Sequence, residues 1–216
     1  YTITWLVFLL VAPLPAAAFY AYTQLDIGHR ALRRRLAQVK ELSEGVLPST
    51  GAEEALCRQH PEEAGLVHYL SSAGGFPVYS RTRSTYYPSG EAFFAAFLQD
   101  LEQAKRSIFL EYFIIEEGTM WSQILDVLTR KVDEGVDVRF LYDGTCEFFK
   151  VSRDYCNHLK DLGLQCRVFA PIKPFLSTHY NYRDHRKIAV IDGCIAYTGG
   201  INLADEYINA THPFGR

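Results

Sequence analysis

From residue 91 to residue 105, apolar side chains recur at Phe93, Phe94, Phe97, Leu98 and Leu101. That three-to-four spacing puts them on one face of a helix. Pro88-Ser89-Gly90 just before it predicts a turn with Ser89 as the helix cap. Residues 107–115 are rich in β-branched and aromatic residues and predict a buried strand; 120–132 return to helical spacing. Residues 136–142 alternate Val136, Val138 and Phe140 with Asp137, Arg139 and Leu141, as a half-buried strand does. A helix over 151–162 is ended by Gly163, and 166–169 reads as a third strand. Two more strands, 188–191 and 195–198, are joined by the turn Asp192-Gly193. Breaker clusters fall at 45–51 and 71–77, the second followed by a short extended piece at Val78 and Tyr79. Strand, helix, strand, helix, strand predicts an α/β fold with a mainly parallel central sheet flanked by helices, without internal repeats.

The pattern is different at the start. Residues 2–22 are almost wholly apolar and uncharged, long enough for a spanning helix. Pro13 and Pro15 in the middle predict a kink of the kind membranes tolerate, and Trp5, Tyr20 and Tyr22 lie near the ends. A cleaved signal peptide fits less well, because the basic residues follow the apolar run. The expectation is a transmembrane helix over 1–23, with further sequence upstream of it. His29, Arg30, Arg33, Arg34, Arg35 and Lys40 come next. By the positive-inside rule they place the remainder of the chain in the cytosol. The same cluster attracts anionic headgroups at about 1 kcal/mol per basic residue. Leu32, Leu36 and Val39 recur at helical spacing. Residues 24–50 therefore read as a juxtamembrane amphipathic helix and linker, a solvated connecting helix being the equal alternative. Residues 51–216 are left as the globular part.

Composition changes this picture little. The chain has 216 residues, 48% of them hydrophobic and 22% charged, as ordinary globular domains do. The formal net charge of −3 argues against a general nucleic-acid binder, which usually shows a strongly basic face. None of the five cysteines forms a C-x-x-C pair, so neither a zinc site nor a disulfide framework is expected. His60 and His179 lack metal-ligand spacing, and no cofactor is implied.

The chemistry is concentrated in one string. His185, Lys187 and Asp192 fall in His-Arg-Lys-Ile-Ala-Val-Ile-Asp, with Gly199, Gly200 and Asn202 close behind. A neutral imidazole can attack phosphorus and form a covalent phosphoenzyme, dividing one hard step into two. A cation two residues on, facing the same side of a strand, stabilises the growing charge on the phosphoryl oxygens. The glycines let backbone approach a phosphate, and the Asn202 amide can donate to it. Asp192 ends a strand before Gly193, so a structural role for it outweighs proton transfer. Glu111 is a carboxylate in an otherwise apolar strand, which predicts a cleft or a cationic partner.

The spacing H-x-K-x4-D-x6-G-G-x-N resembles the half-site signature of the phospholipase D superfamily. The words around it, from Asn181-Tyr182-Arg183-Asp184 to Gly200-Ile201-Asn202-Leu203-Ala204-Asp205-Glu206-Tyr207, are similar to those of bacterial cardiolipin synthases. So are Leu110-Glu111-Tyr112 and the run from Val138 to Gly144. The resemblance implies a phospholipase D-like fold, behind its anchor, for a catalytic half-domain over 51–216. It implies a bacterial inner-membrane enzyme, facing the cytoplasm, that joins two phosphatidylglycerol molecules and releases glycerol. It makes His185 a nucleophile or acid–base partner, and Lys187, Gly199, Gly200 and Asn202 a phosphate cradle. Asp192 enters as a supporting member of the motif, and Glu111, Asn181 and Arg183 as possible substrate contacts. Such sites use two motifs, and this chain holds one. The partner half is then expected in a longer polypeptide or a second copy. The alternative is a membrane-tethered phospholipase or nuclease built from two identical half-sites.

Overall fold

The computed structural model describes residues 2–24, 27–43, 46–47, 51–172 and 183–211. In chain order the helices are α1 (Thr2–Val11), α2 (Pro13–Gln24), α3 (Ile27–Ser43), α4 (Ala52–Gln59), α5 (Ala64–Gly74) and α6 (Gly90–Gln103). Then β1 (Ser107–Tyr112), α7 (Thr119–Asp133), β2 (Asp137–Asp143), α8 (Cys146–Phe149), α9 (Tyr155–Asp161) and β3 (Gln165–Phe169) follow. A hairpin of β4 (Lys187–Ile191) and β5 (Ile195–Thr198) closes the sheet, before a 3-10 turn over Asp205–Ile208.

The first correction falls at the N-terminus. The apolar stretch does not form one helix: it breaks at Ala12, and no helix among the described residues is long and apolar enough to cross a membrane. The cause is proline. Pro13 and Pro15 have no N–H to give to the turn before them, so the ladder fails twice within three residues. The two helices then fold back on each other. Trp5 lies 5.8 Å from Phe19 and 5.1 Å from Tyr20, ring to ring. On a straight helix these positions are about 20 Å apart.

Residues Gly28–Tyr86 form a compact unit of their own. Within that unit Glu53 of α4 accepts from Ser71 of α5 at 3.0 Å and meets His68 at 2.8 Å. These bonds tie together two helices that the apolar pattern did not announce. The helix expected from Leu32, Leu36 and Val39 is present as α3.

In the larger unit the strand order is β3-β2-β1-β4-β5. β1, β2 and β3 run parallel, while β4 is antiparallel to both β1 and β5. The sheet is therefore mixed rather than mainly parallel. So short a turn, residues 192–194, can only reverse the chain; the Cys194 amide donates to the Ile191 carbonyl at 3.1 Å, and Asp192 and Gly193 between them take positive φ, 53° and 71°. Ile108, Leu110, Tyr112, Val138, Phe140, Tyr142, Ala189 and Ile191 bury one face. Trp121 of α7 stacks on Phe140 at 5.1 Å and donates to the Tyr155 hydroxyl of α9, while Phe93 and Phe97 of α6 pack on Tyr197. Helices α6, α7 and α9 thus cover the same face. The first strand stops at Tyr112, short of the expected Ile115, which instead bridges to Leu203. The helix expected over 151–162 starts only at Tyr155.

The start of α7 is capped from a distance. Asp205 accepts from the amides of Thr119 at 2.9 Å and Met120 at 2.7 Å. A side chain at Gly118 would sit 2.7 Å from that carboxylate, which is why glycine stands there. Asp205→Ala should cost about 1 kcal/mol, the usual worth of a helix cap. Urea denaturation should show it as a lower midpoint with an unchanged slope.

Candidate active site

His185 stands two residues before β4, and Lys187 is that strand's first residue. The register sets Lys187 opposite Tyr112, the last residue of β1. The chain leaving β1 therefore runs beside the histidine. Phe113 meets both groups: its ring centre is 4.5 Å from the imidazole, edge-on, and 5.0 Å from Lys187 Nζ. His185 is exposed and Lys187 is buried. The ammonium donates to the His185 carbonyl oxygen at 2.7 Å. Burial lowers its pKa, and the Asp184 charge partly opposes that. A desolvated cation under an exposed imidazole acts on a docked anion with less screening than one in bulk water.

Asn202 reaches the same place by another route. It is buried, its Oδ1 accepts from the Ile114 amide at 3.0 Å, and its Nδ2 donates to the Tyr207 hydroxyl at 2.7 Å. Its amide thus braces the segment behind Phe113, with one of its two N–H donors given to Tyr207. Gly199 and Gly200 are exposed, and a side chain on either would meet nothing within 4 Å. The fold itself does not ask for glycine at these positions, and the clearance over their backbone is open to an incoming group.

Two expected members belong elsewhere. Asp192 lies at the far end of β4, roughly 20 Å from His185 at the rise of an extended chain. Its carboxylate accepts from the amides of Lys105 at 2.9 Å, Arg106 at 2.7 Å and Ser107 at 2.9 Å. Those amides hold its pKa below the ordinary range, Ser107's first. Asp192 is a tie for the start of β1, the structural role that its place before Gly193 suggested. Arg183 donates to the Ala170 carbonyl at 2.7 Å and lies 3.6 Å from Asp143, so it joins loop to sheet. Asn181 and His179 lie outside the described residues.

What holds the histidine is a set of groups the motif did not single out. Asp143, fully buried at the end of β2, accepts from Thr145 and, at 3.2 Å, from the amide of Asp184. Asp184 grips Arg186 through Nε at 2.8 Å and Nη2 at 3.2 Å. Arg186 Nη2 also lies 2.9 Å from Glu111 Oε1, an ion contact whose angle makes no hydrogen bond. Residues 183, 184, 186 and 187 are all tied, leaving the imidazole edge toward solvent. Asp143 had a signal in the sequence: a carboxylate ending an alternating strand, at the strand end where α/β proteins build sites. Phe113 and Tyr207 had none beyond their neighbours.

The two carboxylates are shifted in opposite directions. Burial, then the facing Asp184, pushes Glu111 up to about 7 against the pull of Arg186. Asp184 is raised by burial, but its bonds to Arg186 and Glu111 outweigh that and leave it below the usual range. A carboxyl with a raised pKa stabilises the fold fully below its unfolded value of 4.5 and loses that contribution as pH rises to about 7. Glu111→Gln removes the loss. The melting temperature of the variant relative to wild type should climb between pH 4.5 and about 7 and stay level above, in a thermal unfolding series.

A family model described as "Cardiolipin synthase, PLD-like domain" matches residues 97–212, more than half of the chain and all of the described site. The chain belongs to the cardiolipin synthase, PLD-like domain family. It is 35% identical to a cardiolipin synthase of Alkalihalophilus pseudofirmus, an alignment covering 99% of this chain and 43% of that protein. Cardiolipin synthase 2 of Bacillus cereus is 36% identical over 99% of this chain and 42% of its own length. An uncharacterized protein of Streptococcus mutans serotype c is 45% identical over 99% and 46%. The chain spans a little under half the length of these curated relatives. Among solved structures, the phospholipase D family member Nuc from Salmonella typhimurium is 21% identical, with a TM-score of 0.44 over 56% of this chain and 70% of that one.

Proposed function

We propose that this chain supplies one half of a phosphatidyl transferase site that makes cardiolipin from two phosphatidylglycerol molecules. The observation that carries the reading is the exposed His185 imidazole, backed by Phe113 and set over the buried Lys187 ammonium, in a member of this family. A second half, later in a longer polypeptide or on another copy, provides the other histidine. One imidazole nitrogen attacks phosphorus, a P–N bond forms, and the P–O bond to the headgroup glycerol breaks. The partner histidine protonates the departing glycerol oxygen and then takes the proton from the headgroup hydroxyl of the second lipid. That oxygen displaces the histidine, and cardiolipin leaves.

Lys187 is suited to the charge that grows on the equatorial oxygens, and open backbone at Gly199 and Gly200 to the approach of a phosphate. The apolar N-terminal stretch and the basic residues after it suit a membrane-held enzyme working at the cytoplasmic leaflet of a bacterial inner membrane. Anionic lipids, phosphatidylglycerol first, are its proposed partners.

The full-length polypeptide, in vesicles with labelled phosphatidylglycerol, should yield cardiolipin and glycerol in equal amounts. His185→Ala should lower the rate on the order of 10³-fold or more while leaving the unfolding transition in place. Acid quenching of the wild type should trap label on histidine. Phosphatidic acid or cut nucleic acid instead of cardiolipin would assign the site to hydrolysis by paired half-sites. No product from an intact membrane preparation would end the reading.

A further inference from the structure

Helix α8 is a single turn, and it is fastened to the wall of the site. Its first residue, the buried Cys146, donates its thiol to the Phe113 carbonyl oxygen at 3.0 Å, and the Phe113 ring is the one that backs His185. Just before the turn, Thr145 gives its amide and its hydroxyl to Asp143, each at 2.8 Å. Just after it, Lys150 meets Glu116 at 2.6 Å. The turn is therefore anchored to the exits of β1 and β2.

The outer side of that turn is apolar with no core to fill. Among the described residues after 87, Phe149 is the most exposed large apolar side chain, at 78%, and Phe148 is next, at 49%. Their rings lie 5.7 Å apart, and Arg153 stands over Phe148 at 5.6 Å. Exposed apolar residues scattered singly need no account, but two adjacent rings beside a site do. Packing does not call for them, since Cys146 is the one residue of α8 that is buried. The acids nearby are engaged: Glu147 accepts from the Tyr142 hydroxyl at 3.0 Å, and Asp154 from Asn157 at 2.6 Å. Lys150 and Arg153, both exposed, supply cations beside the rings. Aromatic rings settle at the headgroup level of a bilayer, and cations near them meet anionic lipid.

We propose that Phe148 and Phe149 seat in the headgroup layer of the bilayer that holds the substrate, with Arg153 on its phosphates, and so set the depth at which His185 meets a phosphodiester. The occupant is a lipid surface, and the proposal rests on the lipid-substrate reading above. Continuity with the site favours lipid over a protein partner. Phe149 is three residues from Cys146, about 5 Å along the helix axis, and Cys146 is bonded to the residue whose ring touches His185. A lipid phosphate lies at the level where such rings settle, so the site faces it without drawing the lipid out of the membrane. Phe148 and Phe149 bind the surface and take no part in the chemistry.

The test places a fluorophore on a bioorthogonal side chain at position 149 of the full-length polypeptide, and in a second sample at position 133, the exposed last residue of α7. In vesicles of phosphatidylglycerol and phosphatidylcholine, nitroxide-bearing lipids should quench the probe at 149 and leave the one at 133 bright. A probe at 149 that these lipids leave bright overturns the proposal, and shielding from iodide in the same sample then assigns the rings to a protein contact. This readout needs no turnover, so it separates the surface contact from the transfer reading. Phe148→Ala with Phe149→Ala should lower cardiolipin formation from vesicle phosphatidylglycerol about tenfold. On short-chain phosphatidylglycerol dispersed as monomers, the same variant should stay within about twofold of wild type. Equal loss on both substrates makes the rings part of the site wall and overturns the proposal, as does an unchanged rate on vesicles.

Discussion

Strand β4 pairs antiparallel with β1, Tyr112 opposite Lys187 and Ile108 opposite Ile191, and the placement of the site follows from that register. It brings the exit of β1 beside the entrance of β4, so Phe113 lies against both His185 and Lys187. It also sends the motif's aspartate to the opposite end of the strand, where Asp192 collects the amides that open β1. A slip of one residue would turn Lys187, Ala189 and Ile191 outward and leave the core with the wrong face. Register is protected by the same burial that encloses the ammonium.

The electrostatic arrangement has a consistent sense. Charges that would be costly alone in a buried place are each given partners: Asp143 has the Asp184 amide and Thr145, and Lys187 has a backbone carbonyl and an aromatic face. The imidazole makes its ring contact with Phe113 and stays at the surface. Among the described residues, positioning is supplied by its neighbours rather than by a carboxylate bound to it. A side chain held this way loses little freedom on meeting a ligand, because the chain on both sides is already ordered.

How far the sequence could be read depends on which force sets each feature. The alternation in 136–142 and the helical spacing in 91–105 reflect burial on one face, and the structure shows β2 and α6 there. Ser89 caps α6 as expected, accepting from the Ala92 amide at 3.3 Å. His185 and Lys187, neighbours in the motif, share contact with Phe113, although His185 precedes β4 and is exposed while Lys187 is buried. The mixed sheet was less legible, because the direction of β4 relative to β1 is decided by a long connection that apolar pattern does not describe. Asp143 and Glu111 act across strands, and a spacing rule along one segment does not see partners that are 41 or 75 positions away. Asn202 was read as a phosphate donor from its place in the motif. Its engagement with Ile114 and Tyr207 depends on a loop returning to β1, which only the folded chain shows.

The N-terminus shows the same limit from the other side. Hydropathy counts apolar residues and is indifferent to which of them lack an N–H, so residues 2–22 read as a continuous span. Hydrogen-bond accounting is stricter. In hydrocarbon a helix must satisfy its own backbone, and two prolines within three residues make the break easiest where the fewest donors are left over.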